Sequence, residues 1–387
     1  MRVYLAPCGI GLGHASRCAS IASEITRRGH EVLFSTYGDA VNYLKYKGFI
    51  VLKSYDLEYE LDPSGALDLR GTIAKGPQII YVFLRQIGAE LYYMEISSPE
   101  VVVSDSRLSS AAAAILWDLP LVLITNQMIV RIPLKKKEVK GLVEHVLFEL
   151  MANVWKRSDL MLIPDFPPPF TISKDNIVFS EEYKDKSVFI GPLIEVYPYE
   201  LPPRNVLKDR LGFRNKRLVL VLISGTREEK KKLYEIVLNV LRGIEFDKNV
   251  VILVSSGLLY KGEPYDLNEN VLVLPWIENK YELLKIADLL VCHGGHTTIA
   301  EGMYYGVPIL ALPNRGHTER IGNSKSIEEL GIAKTILQSE INEEKLKNAI
   351  EELLSEEYQT RARRLSLELS KFRATEIASD LILSLTK

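Results

Sequence analysis

The chain has 387 residues, a formal net charge of −2, 47% hydrophobic residues and 25% charged residues. That length allows two domains at about 100–200 residues each, the composition is that of a globular protein, and the near-neutral balance gives no whole-chain argument for a nucleic-acid partner. Cys8, Cys18 and Cys292 have no CxxC or metal-ligand spacing, which argues against a disulfide framework and suits a reducing compartment.

In chain order, residues 2–6 form a short apolar strand that opens into Pro7-Cys8-Gly9-Ile10-Gly11-Leu12-Gly13-His14. No signal peptide is expected, because the chain starts directly in that strand. A helix with Ile21, Ala22 and Ile25 on one face follows and ends near Gly29, and 32–35 is the next strand. Gly11 and Gly13 resemble a dinucleotide fingerprint, but no acid is well placed about 20 residues on, so a simple NAD site is disfavoured. Residues 55–72 are polar and acidic and read as a long loop. Residues 77–94 carry Ile79, Ile80, Val82, Phe83, Ile87 and Leu91 and read as a core-facing helix.

A valine-rich strand starts at Val101 and ends in Ser104-Asp105-Ser106-Arg107. Asp105 thereby stands at a carboxyl strand end, where it can orient a substrate hydroxyl, act as a base or cap the next helix. Residues 129–157 place Arg131, Lys135, Lys136, Lys137 and Lys140 before an apolar series from Leu142 to Trp155. A basic stretch beside an amphipathic helix suits an anionic membrane surface, and equally a solvated loop before a core helix. No run of about 18 apolar residues could span a membrane. Strands at 160–163 and 187–190 close a first domain over 1–195. The proline-rich stretch 196–204 reads as a linker to a second domain over 205–365.

In the second domain, strand 218–223 leads into Ser224-Gly225-Thr226-Arg227 and a helix, an arrangement that offers backbone N–H groups to an anion. Strands 250–254 and 271–274 follow, the latter succeeded by Pro275-Trp276-Ile277. The densest signal is strand 289–292 ending in His293-Gly294-Gly295-His296. Thr297 and Thr298 then start a helix that stops near Gly306, before a further strand at 307–312. Two glycines at a strand-to-helix turn let the backbone approach a ligand, and the helix start suits a phosphate or diphosphate. Glu301 shares a helix face with Thr297 and can accept two hydrogen bonds from a ribose diol. Glu319, Arg320 and Asn323 add polar groups beyond the next strand. The chain closes in helices over 343–354 and 357–385, with 366–387 expected to pack back on the first domain.

The run HGGHTTIAEGMYYGVPILALP followed by ERIGN resembles the donor-sugar signature of family 28 glycosyltransferases, which include lipid-linked N-acetylglucosaminyltransferases. The resemblance implies an α/β protein of the GT-B class, with two Rossmann-like doubly wound domains facing each other across a cleft. It implies a uridine diphosphate sugar on the second domain. The diphosphate would rest on Gly294, Gly295 and the helix start at Thr297, helped by Gly225 and Thr226, with His293, His296 and Thr298 also among the donor-binding residues. Trp276 and Ile277 would lie at the nucleobase, Glu301 at the ribose, and Glu319, Arg320 and Asn323 at sugar hydroxyls or phosphates. A lipid-linked acceptor would bind near Gly11 and Gly13 on the first domain, where His14 or Asp105 would be the catalytic base of an inverting displacement.

No DxD-type acidic pair stands in a suitable loop, so no essential metal and no cofactor beyond the nucleotide sugar are expected. The expected place of work is cytoplasmic, peripheral on the inner face of the cell membrane. One departure bears on sugar identity: the Gln usual at the sugar-contacting position is replaced here by Glu319-Arg320. A nucleotide-sugar 2-epimerase, a transferase acting on diacylglycerol and a non-catalytic nucleotide-sugar binder remain alternatives.

Overall fold

The computed structural model describes residues 1–10, 12–56, 76–129, 137–177, 181–225, 227–255 and 262–385. The chain divides into two compact units. Unit 1 comprises Met1–Pro167, Asp175–Glu195 and Phe372–Lys387, and unit 2 comprises Pro168–Lys174 and Val196–Lys371. Unit 1 contains β1 (Arg2–Pro7), α1 (Gly13–Arg27), β2 (Glu31–Thr36), α2 (Asp39–Tyr46), β3 (Val51–Lys53), α3 (Gly76–Ser97), β4 (Val101–Asp105), α4 (Leu108–Leu116), β5 (Leu121–Ile124), α5 (Lys137–Trp155), β6 (Leu160–Ile163) and β7 (Ser187–Phe189). Its sheet is parallel throughout, in the order β3-β2-β1-β4-β5-β6-β7.

Unit 2 contains α6 (Arg204–Arg210), β8 (Arg217–Leu222), α7 (Arg227–Leu241), β9 (Val250–Ser255), β10 (Tyr265–Asp266), β11 (Val271–Leu274), α8 (Lys280–Ile286), β12 (Leu289–Cys292), α9 (His296–Tyr305), β13 (Ile309–Ala311), α10 (Thr318–Glu329), β14 (Ala333–Thr335), α11 (Glu343–Leu353) and α12 (Glu356–Leu369). The sheet order is β10-β11-β9-β8-β12-β13-β14, parallel except for β10. The last helix, α13 (Ala374–Ser384), belongs to unit 1.

Both sheets therefore run outward in two directions from a central strand pair, β1 with β4 and β8 with β12. In doubly wound sheets the carboxyl ends at such a reversal point leave a crevice for ligands. The strands are valine- and leucine-rich because both faces are covered. In β1, Val3 and Leu5 enter one core, with Ile21, Ile25, Ala374, Ala378 and Ile382. Tyr4 and Ala6 enter the opposite core, with Met94, Ala114 and Trp155. The alternation is the period-2 geometry of a strand.

Three segments differ from the sequence expectation. The expected helix over 357–385 is interrupted between α12 and α13. Phe372 lies in that break and packs its ring 5.8 Å from Phe166. A side chain on Gly191, whose φ is +81°, would come within 2.7 Å of the Phe372 Cβ. The stretch 196–204 is not a free linker but part of unit 2. It is held there by Tyr197 against Tyr304 (5.6 Å) and by the Tyr305 hydroxyl donating to the Val196 carbonyl (2.7 Å).

The third difference is α3. Its innermost line is Gln86, Glu90, Met94 and Ser97, while Ile80, Tyr81 and Leu84 are exposed. The polar line is buried because it is bonded. Glu90, fully buried, accepts from the Tyr4 hydroxyl (2.7 Å), the Ser35 hydroxyl (2.6 Å) and Arg107 (2.6 Å). Arg107 also donates to the Ser35 carbonyl (2.9 Å). Removing one partner of a buried ion pair leaves the other charge uncompensated, at a cost of about 3–5 kcal/mol. Glu90→Ala should accordingly destabilise the chain by about that amount in urea unfolding, and Glu90→Gln by less. A loss below about 1 kcal/mol for the alanine variant would contradict this account.

Candidate active site

The reversal point of unit 1 is built by register. Pro7 of β1 pairs with Asp105 of β4, and the Cys8 N–H continues the ladder to the Asp105 carbonyl (3.0 Å). Gly9 is needed for packing: a Cβ there would lie 2.2 Å from the Tyr37 carbonyl oxygen. Gly11 lies outside the described residues, and Gly13 opens α1. His14 and Arg17 then stand one helical turn apart on one face, both reaching Asp105. His14 Nδ1 is 2.9 Å from Oδ1, and Arg17 Nε donates to Oδ2 at 2.5 Å while its Nη2 closes on Oδ1. Arg17 Nη1 reaches Asn126 Oδ1 (3.3 Å), and Cys18 Sγ lies 3.5 Å from Oδ2.

Burial alone would push the Asp105 carboxyl up. The Arg17 guanidinium and the His14 ring outweigh it and hold the carboxyl well below the usual carboxylate range. His14 Nδ1 lies 2.9 Å from both Asp105 Oδ1, which only accepts, and Arg17 Nη2, which only donates; in the neutral tautomer that donates to Asp105, Nε2 carries a lone pair. Asp105 has no exposed surface, whereas the His14 side chain is 28% exposed. Asp105 is not the cap of α4 either, since that position is Arg107. Of the two base candidates, only His14 can meet a solute.

The reversal point of unit 2 pairs Leu222 of β8 with Cys292 of β12. Beyond these ends lie Ser224-Gly225 and His293-Gly294-Gly295; Thr226 lies outside the described residues. Gly294 has a φ of +84°, and a Cβ on it would meet the Ser324 hydroxyl at 2.9 Å and the Arg320 carbonyl at 3.1 Å. The loop therefore packs tightly beneath α10. Gly295 is the N-cap of α9, with no side-chain cap. Thr297 and Thr298 are half-buried in its first turn, and His296 is buried.

His293 is 1% exposed. Its Nδ1 faces the Ser224 carbonyl (2.7 Å) and must donate, so its Nε2 accepts from Arg320 (2.7 Å). Arg320 in turn grips both oxygens of Glu229 (3.1 and 3.2 Å), and His317 Nε2 touches the same carboxylate at 2.9 Å. Burial first, then the charge of Arg320, pushes His293 down to about 3.

Glu301 is 2% exposed. One of its oxygens accepts from Lys280 (2.7 Å) and from the Tyr281 hydroxyl (3.1 Å). Asn323 has no exposed surface and bonds the Gly294 carbonyl (3.5 Å) and the Ser173 hydroxyl (3.4 Å). Its place is beneath the loop, which corrects the expectation that it meets the sugar. Glu319 and Trp276 are half-buried and Ile277 is buried.

Thus Gly225, His293, Gly294, Arg320 and Asn323 are brought into one cluster, and Trp276 and Ile277 follow β11, two strands from β8. The roles of Arg17, Glu229, Lys280 and Tyr281 were absent from the sequence reading. Arg17 had a readable signal, its position three residues after His14. Glu229 had a weaker one, as a carboxylate in the first turn of a helix that follows a glycine loop. Among the described residues no group of three or more His, Cys, Asp or Glu side chains could hold a metal ion, and no helix is long and apolar enough to cross a membrane.

Comparison with known proteins agrees with this geometry. Residues 219–381 match the glycosyltransferase family 28 C-terminal domain, and residues 1–165 match glycosyl transferase family 1. An uncharacterised glycosyltransferase of Methanosarcina acetivorans is 28% identical over 382 residues, covering 94% of this chain and 93% of that protein. The UDP-N-acetylglucosamine–N-acetylmuramyl-(pentapeptide) pyrophosphoryl-undecaprenol N-acetylglucosamine transferase of a Thermoanaerobacter species is 28% identical over 220 residues, covering 52% of this chain and 58% of that one. The crystal structure of the glycotransferase of kitacinnamycin superposes with a TM-score of 0.68 at 19% identity, over 100% of this chain and 99% of that one. The chain is a glycosyltransferase of the GT-B fold whose residues 219–381 match the family 28 C-terminal domain.

The low value of His293 has a thermodynamic consequence. Between the ordinary histidine value of about 6.5 and the folded value of about 3, the unfolded chain binds a proton that the folded chain does not. Stability therefore falls as pH falls through that window, by up to about 1.4 kcal/mol per pH unit from this group. Urea midpoints measured from about pH 7 to 4 should show this slope, and His293→Asn should flatten it. An unchanged slope in the variant would assign the loss to other groups.

Proposed function

We propose that the chain moves N-acetylglucosamine from UDP-N-acetylglucosamine to a lipid-linked acceptor such as a polyprenyl diphosphate-N-acetylglucosamine, with inversion and without an essential divalent metal. The observation that carries the transferase reading is His14. It stands at the unit 1 reversal point with Nδ1 turned to a buried carboxylate and its ring partly exposed. Support for the donor and acceptor comes from the relative that acts on undecaprenol-linked substrate. Location on the inner face of the cell membrane follows the same reading.

In this mechanism His14 Nε2 takes the proton of the acceptor hydroxyl as its oxygen attacks the anomeric carbon. The bond from that carbon to the diphosphate breaks on the opposite side, so configuration inverts. Negative charge grows on the leaving diphosphate. In unit 2, the N–H groups at the start of α9, the Gly225-Thr226 loop and Arg320 would stabilise it. Glu301 would offer the ribose the oxygen that Lys280 and Tyr281 do not use. Trp276 and Ile277 would lie at the nucleobase, and Glu319 at a sugar hydroxyl.

The membrane part of the reading rests on α5. Leu142, Val146 and Leu150 recur every fourth residue and are 65%, 49% and 57% exposed. The other face of the same helix is inward: Ala152 and Trp155 are buried, and Phe148, Met151 and Val154 pack against them. An ordinary core helix has one apolar face, whereas this one has a second that could enter a lipid interface. Arg131, Lys135 and Lys136, which would add the electrostatic part, lie outside the described residues, as do the side chains of Lys137 and Lys140.

The direct test is incubation with labelled UDP-N-acetylglucosamine, UDP-glucose and a membrane lipid extract, followed by identification of the labelled lipid. Label from UDP-glucose entering diacylglycerol, epimerisation at C2 without acceptor, or donor binding without turnover would each replace this reading. His14→Ala should lower kcat by about 10²–10⁴-fold and leave UDP affinity near the parental value. Glu301→Ala should instead weaken UDP binding by about 10- to 100-fold in calorimetry. Replacement of Leu142, Val146 and Leu150 by Ser should reduce co-sedimentation with anionic liposomes, and equal co-sedimentation would remove the membrane role from α5.

A further inference from the structure

Three groups of different charge type meet at the end of β4: the Asp105 carboxylate, the Arg17 guanidinium and the His14 imidazole. The first two are buried, at 0% and 5% exposure, and only His14 reaches the surface. Arg17 faces Asp105 with the fork of Nε and Nη2, one nitrogen to each oxygen, and its Nη2 also lies 2.9 Å from His14 Nδ1. Among the described residues, the other groups near the cluster are two thiols, a phenol, an amide and one already paired guanidinium. Burial pushes the Cys18 thiol on α1 well up, and burial also pushes up the Cys8 thiol after β1 and the Tyr37 hydroxyl after β2. Asn126 after β5 is an amide. Arg107 beyond β4 is already paired with Glu90.

A buried carboxylate must be balanced by a cation. With only an imidazole beside it, that cation is the imidazole, which draws a proton and becomes imidazolium. An imidazolium has no lone pair and cannot take a proton from a hydroxyl. With a guanidinium already on both carboxylate oxygens, the charge is balanced without His14, and a proton on the ring would place a second cation beside Arg17. We propose that Arg17 is a positioning residue for the glycosyl transfer: by compensating Asp105 it keeps the resting His14 neutral, with the hydrogen on Nδ1 and the lone pair on Nε2. This rests on His14 being the base. The ring then becomes imidazolium only as the acceptor hydroxyl gives up its proton and the bond from the anomeric carbon to the diphosphate breaks. In that state Asp105 stabilises it.

The first readout takes the His14 ring directly and needs no acceptor; the second is turnover with the lipid extract as acceptor. The full chain labelled with ¹⁵N-histidine gives ring signals, and the set lost in His14→Gln belongs to His14. In the parent, at about pH 7, the ring should be neutral with an unprotonated Nε2. In Arg17→Met the same ring should be doubly protonated, with its titration midpoint raised by about 1–3 pH units. UDP-N-acetylglucosamine turnover should fall at neutral pH and recover as pH rises through the new midpoint. Arg17→Lys restores the charge without the fork. It should keep His14 neutral and regain part of the turnover, and it serves as the probe if Arg17→Met does not fold. A His14 ring still neutral in Arg17→Met, or a charged one in Arg17→Lys or the parent, overturns the proposal. If His14→Ala abolishes turnover while Arg17→Met leaves the ring state unmoved, the base assignment stands and the Arg17 role falls. If the ring becomes charged as expected but His14→Ala stays active, the Arg17 effect stands and the base assignment falls.

Discussion

The constraint on which this structure turns is the buried carboxylate. Asp105 at the end of β4, Glu90 on α3 and Glu229 in the first turn of α7 are at most 6% exposed, and each is gripped by an arginine: Arg17, Arg107 and Arg320. Parallel strands covered on both faces bring their polar ends out of water, and a charge left there alone costs several kcal/mol. The guanidinium is suited to the role because its flat fork matches two carboxylate oxygens and stays charged at all working pH values. Such pairs add little net stability compared with an apolar core of the same volume. What they give is fixed geometry. Arg107 and Glu90 tie α3 to Tyr4 of β1 and Ser35 of β2.

The same device has a different consequence in unit 2. Arg320 is the cation best placed beside Gly225 and Gly294, and Glu229 already occupies it. On the proposed donor assignment, a diphosphate would meet there an arginine whose charge is balanced by an internal anion, with His317 on the same carboxylate. Glu229 sits in the first turn of α7, where the helix dipole favours a negative charge. Substrate phosphate and protein carboxylate would then compete for the same donors, and the affinity for a nucleotide would reflect the difference between the two rather than the strength of either.

The fold and the reacting groups were legible in the sequence to different degrees, for physical reasons. Valine-rich strand runs and the glycine turns after them are local patterns, so the strand ends that carry His14, Asp105, Gly225 and His293 could be read directly. The pairing of charges is not local. Arg17 and Asp105 are 88 residues apart, and Arg320 and Glu229 are 91 apart; only sheet order brings them together. Hydrophobicity also misled where a polar residue was the buried one. On α3 the eye follows Ile79, Ile80, Val82 and Phe83, but the helix turns Gln86 and Glu90 to the core because Ser109, Tyr4 and Arg107 bond them there. The break between α12 and α13 carries no proline or glycine. It is set by Phe372 finding a pocket over Gly191, a tertiary choice that no local signal encodes.

The two histidines that follow central strands place one chemical group in opposite surroundings. In both, Nδ1 faces an acceptor oxygen, of Asp105 in one case and of the Ser224 carbonyl in the other. The difference lies at Nε2. In His293 that lone pair is spent on Arg320, and the ring is 1% exposed. It is locked neutral and serves as a spacer that sets where the guanidinium stands. In His14, among the described residues, nothing bonds Nε2, and the ring keeps 28% of its surface. A base needs an uncommitted lone pair, access and a neutral resting state. His293 has the last alone, whereas His14 has the first two from its place at the start of α1. For His14, Arg17 would supply the third, by balancing Asp105 before a proton is drawn onto the ring.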